Sequence, residues 1–241
     1  MFSSSFDPAF RTIPFYKNHE FMLPAVGVNY ESTKHKKLLL VGESCYMPKA
    51  SFVHHNVNLW YDNYLSLGEK LTDCELKCCD LRGARSDPRN KYRQKIDNAI
   101  KEVFPDAFGN AFEEIASYNY FLRPADNDNR KNFRCTEMDC RESVHTFCKL
   151  IEILNPNHVV FTSKLAFDHA ETIDIFKYLG CYLWDYLAKY NIGYSFTYHP
   201  SSRWWNRIRH IKTGSSDDYF RGLTSRQFFI DELKKNWLTK D

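Results

Sequence analysis

The sequence predicts an α/β fold, a three-layer α/β/α sandwich around a central four-stranded, mostly parallel sheet. Two observations carry this. The run LLLVG from Leu38 is continuously apolar and ends in glycine, as a strand buried on both faces does. Further on, a helix, a strand and a second helix follow one another within roughly 40 residues, the rhythm of parallel strands joined by crossover helices.

The elements follow in order. Residues 1–36 carry phenylalanines and turn formers without a sustained period, and read as an arm packed on a single domain spanning 1–241. LLLVG is the first strand. KYRQKIDNAIKEVF, from Lys91, sets Tyr92, Ile96, Ile100 and Val103 on one stripe of an amphipathic helix. EIASYNY, from Glu114, is rich in strand formers and stops before Arg123-Pro124, giving a second strand. Asp139 with Glu142 three residues later predicts the start of a helix whose buried face is Val144, Phe147, Cys148, Ile151 and Leu154. Asn155-Pro156-Asn157 stops it. HVVFTS is a third strand, running into SKLAFDHAETIDIFKYL as a helix. After a Tyr/Trp-rich helix around 181–190, GYSFTYHP is the fourth strand, and SRQFFIDELKKNWL is a closing amphipathic helix.

Composition narrows the function classes. With 43% apolar and 26% charged residues among 241, the chain reads as globular rather than disordered. No apolar run approaches the ~20 residues of a membrane helix. MFSSSFDPAF lacks the basic-then-apolar order of a signal peptide, so a cytoplasmic location without a membrane partner is expected. The net charge of +3 is too small to demand an acidic partner, but its distribution is uneven. RWWNRIRHIK holds Arg203, Arg207, Arg209 and Lys212 with two tryptophans and no acid. Eight cysteines without a signal peptide read as free thiols. Cys74, Cys78 and Cys79, and likewise Cys135 and Cys140, lack paired Cys-x-x-Cys spacing, so neither a metal nor a cofactor is expected.

In parallel sheets the ligand binds beyond the carboxyl ends of the strands. The first strand delivers Gly42, Glu43, Ser44, Cys45 and Tyr46 there, and the second delivers Asn119 and Tyr120, with Arg123-Pro124 beyond. The third ends at Thr162, Ser163 and Lys164, a helix start suited to an anion. The fourth delivers His199, Pro200, Ser201 and Ser202, directly before the basic tryptophan segment. Singly these are ordinary turn and cap residues. Together on one sheet edge they point to a site.

In the same order, VGESCY, YNYFLRP with DNRKNF, LIEILNPNHVVFTSKLAFDHA and SFTYHPSS resemble motifs of the uracil-DNA glycosylase superfamily, including bacterial members of uncharacterised activity. The resemblance spans about Leu38 to Arg207. It implies a uracil-DNA glycosylase-like fold, a monomer acting on DNA, and hydrolysis of the N-glycosidic bond of a flipped uracil or other deaminated base. It also implies residue roles. Asn119 would read the base edge, Tyr46 or Phe52 would stack on its face, and His199 would face the charge developing on the leaving base. Ser201 and Ser202 would bind a backbone phosphate, and Arg203, Arg207 and Arg209 its neighbours. Trp204 or Trp205 would fill the gap left in the duplex.

The sequence also departs from the pattern. Ser44 stands where the best-known members carry a water-activating aspartate, and Glu43 is the substitute candidate. Cys45 replaces the usual Pro or Ala. No cysteine precedes it, so an iron–sulfur cluster is not expected. Two alternatives to a glycosylase stay open, a catalytically inactive nucleic-acid-binding member of the same fold and an unrelated small-molecule α/β enzyme. The latter has no Gly-rich phosphate loop in its favour. His54 and His55 read as a solvated surface pair, or as a reagent near the first loop.

Overall fold

The structure, a computed structural model, describes residues 2–61, 71–126, 134–208 and 218–238; Arg209 lies outside them. The described strands are β1 (Ala25–Val26), β2 (Leu38–Gly42), β3 (Tyr46–Met47), β4 (Ala116–Asn119), β5 (Ala125–Asp126), β6 (His158–Phe161) and β7 (Gly193–Phe196). The central sheet has five strands in the order β1-β4-β2-β6-β7. β4, β2, β6 and β7 run parallel to their neighbours, while β1 pairs antiparallel with β4. The sheet is therefore mixed, with one strand more than the four expected. The extra strand comes from the arm, where Ala25-Val26 between a proline and a glycine is too short to show a period. β3 and β5 form a separate parallel pair that carries the chain away from the ends of β2 and β4.

Both faces of the sheet are covered by helices, compatible with three layers. Leu39, Val41, Val159 and Phe161 pack with Phe147, Ile151 and Leu154 of the Glu137–Leu154 helix and with Phe10 and Tyr16 of the arm. Leu38, Leu40 and Val160 pack oppositely, with Ile96 and Ile100 of the Lys91–Val103 helix and with Phe229, Leu233 and Trp237 near the C-terminus. Coverage on both sides explains the absence of polar alternation along these strands.

Three helices differ from their sequence pattern, the closing one by turning from α-helical at Ser225–Glu232 to π-wound at Leu233–Trp237. Glu137–Leu154 begins earlier than expected: Thr136 is its N-cap, and Asp139, at the third position, completes the capping box in place of Glu142. Asp139 also takes Arg123, whose Nε and Nη2 donate to its two oxygens at 2.8 and 2.7 Å, so the Arg123-Pro124 segment is anchored to the helix start. The helix after β6 is α-helical at Lys164–Asp168 and Ile175–Leu179, with a π-wound segment, His169–Asp174, between them. No described helix is long and apolar enough to cross a membrane.

Candidate active site at the strand ends

β2 and β4 end in register, Gly42 opposite Asn119, and their partnership continues past the strands. Tyr120 N–H donates to Gly42 O at 3.0 Å and Phe121 N–H to Glu43 O at 2.9 Å. Asn119 is thus held beside a glycine, and its side-chain carbonyl occupies the space that a Cβ on residue 42 would need. The absent side chain sets the Asn119 rotamer.

β7 supplies His199 on a stapled loop. Ser202 N–H donates to His199 O at 2.7 Å, and Lys95 Nζ reaches from the Lys91–Val103 helix to Pro200 O at 2.7 Å. Ser201 N–H donates to His199 Nδ1 at 3.1 Å. With Nδ1 accepting, the single proton of a neutral ring sits on Nε2, which is then a donor. Burial, reinforced by the charges of Arg85 and Lys95, pushes the His199 pKa down to about 4, which favours the neutral ring. Its ring lies 5.3 Å from that of Tyr92.

These groups face one cleft of about 910 Å³, lined by Gly42, Glu43, Ser44, Tyr46, Asn119 and His199, with Ser201 and Ser202 at the loop beyond. Glu43 bridges two strand ends, its Oε2 accepting from Ser163 Oγ at 2.6 Å. Ser163 in turn caps the next helix, and Lys164 is paired with Asp168 at 2.7 Å, so the expected anion site after the third strand is already internally satisfied. Ser44 is 9% exposed, and its Oγ has no hydrogen-bond partner among the described residues.

Several expected site residues fall elsewhere. Phe52 is 68% exposed, meets His55 edge-on at 5.5 Å and does not line the cleft; the turn closed by Ser51 N–H to Pro48 O carries the chain away first. Of the two proposed stacking faces, only Tyr46 is in place. Trp205 is 1% exposed and packs 5.7 Å from Phe229 in the core, so it is not at the surface as its expected role requires. Its neighbour Trp204 is half-buried, with the Arg203 guanidinium 4.3 Å from its ring. Arg203 and Arg207 are exposed. His54 is buried and its carbonyl accepts from Arg123 at 3.1 Å, so only His55 of that pair is on the surface.

The residue that sequence reasoning missed is Arg85. It lines the cleft, is 6% exposed, and lies 4.0 Å over the Tyr92 ring and 5.4 Å from Phe112. Its neighbours in sequence are satisfied: Arg82 by Asp7, Arg89 by Asp87 and Arg93 by Asn110. Arg85 has no carboxylate partner among the described residues, its Nε bonds to nothing there, and burial lowers its pKa. Glu43, Asp80 and Asp87 also line the cleft but bond elsewhere, to Ser163, Gly83 and Arg89, which leaves the Arg85 guanidinium able to meet an anion there. The only trace of this in the sequence is the density of arginine across LRGARSDPRNKYR.

The cleft therefore combines an amide that can read a polar ring edge, an imidazole donor, an aromatic face and a cation with no carboxylate partner among the described residues. No protein-family model matches the chain, and no curated protein matches it.

Proposed function

We propose that the protein is a DNA glycosylase-like hydrolase that cleaves the N-glycosidic bond of a flipped uracil or other deaminated base. The observation that carries this reading is the convergence of Asn119 and a neutral, Nε2–H-donating His199 in one nucleotide-sized cleft at the ends of parallel strands. On this reading β4, β2, β6 and β7 are the four-stranded parallel part of a uracil-DNA glycosylase-like three-layer sandwich, and β1 is an addition to it.

The chemistry follows from the groups present. Asn119 has one carbonyl and one amide with which to pair the alternating acceptors and donors of a uracil edge, and Tyr46 offers a face for stacking. As the bond from the sugar C1′ to the base nitrogen breaks, both electrons leave with the base and charge collects on its carbonyl oxygen. The Nε2–H of His199 stabilises that oxyanion without a proton transfer. Water adds to C1′ and passes its proton to Glu43, held in place by Ser163. The departed base takes a proton from solvent. Arg85 holds a phosphate of the same nucleotide, with Ser201 and Ser202, while the exposed Arg203 and Arg207 meet neighbouring phosphates.

One observation favours a second reading. Ser44, lining the cleft, supplies no carboxylate at the position where the superfamily pattern carries its water-activating aspartate, which suits a binding protein that has lost turnover. Oligonucleotides carrying uracil, hypoxanthine or xanthine, single- and double-stranded, decide between the two, with strand cleavage at the abasic site as readout. The expected result is base release that falls about 10²–10³-fold in His199→Ala. Salt-sensitive binding with no release from any substrate supports the binding protein; neither binding nor release overturns both.

A further inference from the structure

Away from the cleft, three soft donors meet. Cys135 lies just before the N-cap of the Glu137–Leu154 helix, Cys140 sits in that helix's first turns, and His169 opens the π-wound segment after β6. One donor atom from each lies within 4.8 Å of the others. A fourth group lies beside the set: Asp174, fully buried at the other end of the π segment, places Oδ1 3.3 Å from His169 Nδ1, though it is not within 4.8 Å of all three of the other donor atoms. Tyr120, the residue after Asn119, donates its hydroxyl to Asp174 Oδ2 at 3.1 Å.

We infer that Cys135, Cys140, His169 and Asp174 form a structural zinc site. Tetrahedral zinc, with Zn–S near 2.3 Å and Zn–N or Zn–O near 2.0–2.2 Å, sets two sulfurs about 3.8 Å apart, sulfur and nitrogen about 3.6 Å, and nitrogen and oxygen about 3.4 Å. The corresponding separations are 3.2 Å for Cys135 to Cys140, 3.9 Å for Cys140 to His169 and 3.3 Å for His169 to Asp174. These three of the six separations agree within roughly 0.6 Å of that geometry, and Asp174 has to move towards the cysteines to complete it. Two thiolates, an imidazole and a carboxylate suit zinc, and do not suit magnesium or calcium, which take oxygen shells. The Tyr120 hydroxyl on the outer oxygen of Asp174 is the kind of support that orients a ligating carboxylate.

The π segment is what makes the site. In an α-helix, positions five apart point about 140° from one another. The π wind, with its i→i+5 bonding, brings His169 and Asp174 to the same side. The cysteine spacing alone argued against a metal because two of the donors come from this later segment. An ion here would tie the start of one helix to the middle of another and, through Tyr120, to the end of β4.

The test uses the full chain, reduced and stripped with chelator, titrated with Co²⁺ and then Zn²⁺. The expected result is a thiolate-to-cobalt charge-transfer band with tetrahedral d–d bands, saturating at one ion per chain and displaced by Zn²⁺. Zn²⁺ should also raise the melting temperature of the wild type by several degrees, a reading that needs no variant to fold. Cys140→Ser should abolish the charge-transfer band, and Asp174→Asn should weaken binding about 10–100-fold. A double variant, Cys45→Ser with Cys79→Ser, removes another close thiol pair, 3.3 Å apart, and should keep the band. Three outcomes overturn the inference: no band in the reduced wild type, no thermal shift with Zn²⁺, or a band that survives Cys140→Ser and vanishes in the Cys45/Cys79 variant. An Asp174→Asn affinity equal to wild type overturns the fourth ligand. None of these readouts depends on glycosylase activity.

Discussion

The side-chain carbonyl of Asn119 rests against the bare Cα of Gly42, its partner in the register of two parallel strands. Gly42→Ala should therefore act on Asn119 rather than on the strand. The added methyl meets that carbonyl, and the amide must turn away from its present position. Overpacking of this kind costs about 1–3 kcal/mol in stability. A displaced positioning group costs about 10²-fold in rate. Base release and thermal melting on the same preparation check this: a rate unchanged from wild type would show that Asn119 does not need Gly42.

Arg85→Met should separate stability from binding. Methionine keeps much of the packing volume over Tyr92 and removes a buried charge that has no carboxylate partner among the described residues. The lost cation–π contact, about 0.5–2 kcal/mol, is set against the relieved desolvation of the guanidinium. The melting temperature should hold or rise while affinity for a short oligonucleotide falls at least about tenfold, as expected of a bond to a charged group. A large drop in melting temperature with unchanged affinity would make Arg85 a purely structural residue.

His199 sets a pH dependence whose sign follows from its lowered pKa. The unfolded chain takes up a proton near pH 6.5, whereas the folded protein resists until about 4. Stability is therefore full above pH 6.5, declines as pH falls towards 4, and levels off below, by at most about 3 kcal/mol from this group. Denaturant titrations at pH 7.5 and 5 should show a smaller loss for His199→Gln than for wild type. Base release should not decline between those pH values through protonation of His199, because the donating ring stays neutral.

Trp204 and Trp205 should give opposite results. Trp205→Ala removes a large core side chain and should cost about 3–5 kcal/mol. Trp204→Ala, on the half-buried neighbour, should cost far less in stability and show its effect in oligonucleotide affinity. Chemical denaturation and binding titrations on both variants check the assignment, and the reverse ranking would place the wrong tryptophan at the surface.

The strands of the parallel core were legible because burial on both faces leaves an unbroken apolar signature, as in LLLVG and HVVF. The edge strand was not, since two residues cannot display a period. The helix start was misplaced because an aspartate at the third helical position looks, in sequence, like a cap; only the Thr136 hydrogen bonds distinguish them. The residues of the cleft that lie at strand ends were found through topology. Arg85 was missed because an arginine's importance here depends on the partner it lacks, which composition does not encode. His169 and Asp174 were missed because a π wind breaks the 3.6-residue period on which helix reading depends. The inward turn of Trp205 within a three-residue 3-10 helix, Arg203–Trp205, is likewise set by tertiary packing.

The short strand β1 has a consequence for how the protein resists association. β4, which carries Asn119, would otherwise end the sheet with its backbone amides and carbonyls open to any passing chain. Ala25 and Val26 take those bonds, Gly27 N–H extends the pairing to Ile115 O at 2.9 Å, and Ser3 N–H covers Val26 O from outside at 2.7 Å. The arm thus works as an edge guard, and clipping it by limited proteolysis would expose a template for strand addition and aggregation at the very strand that bears the candidate base-reading residue.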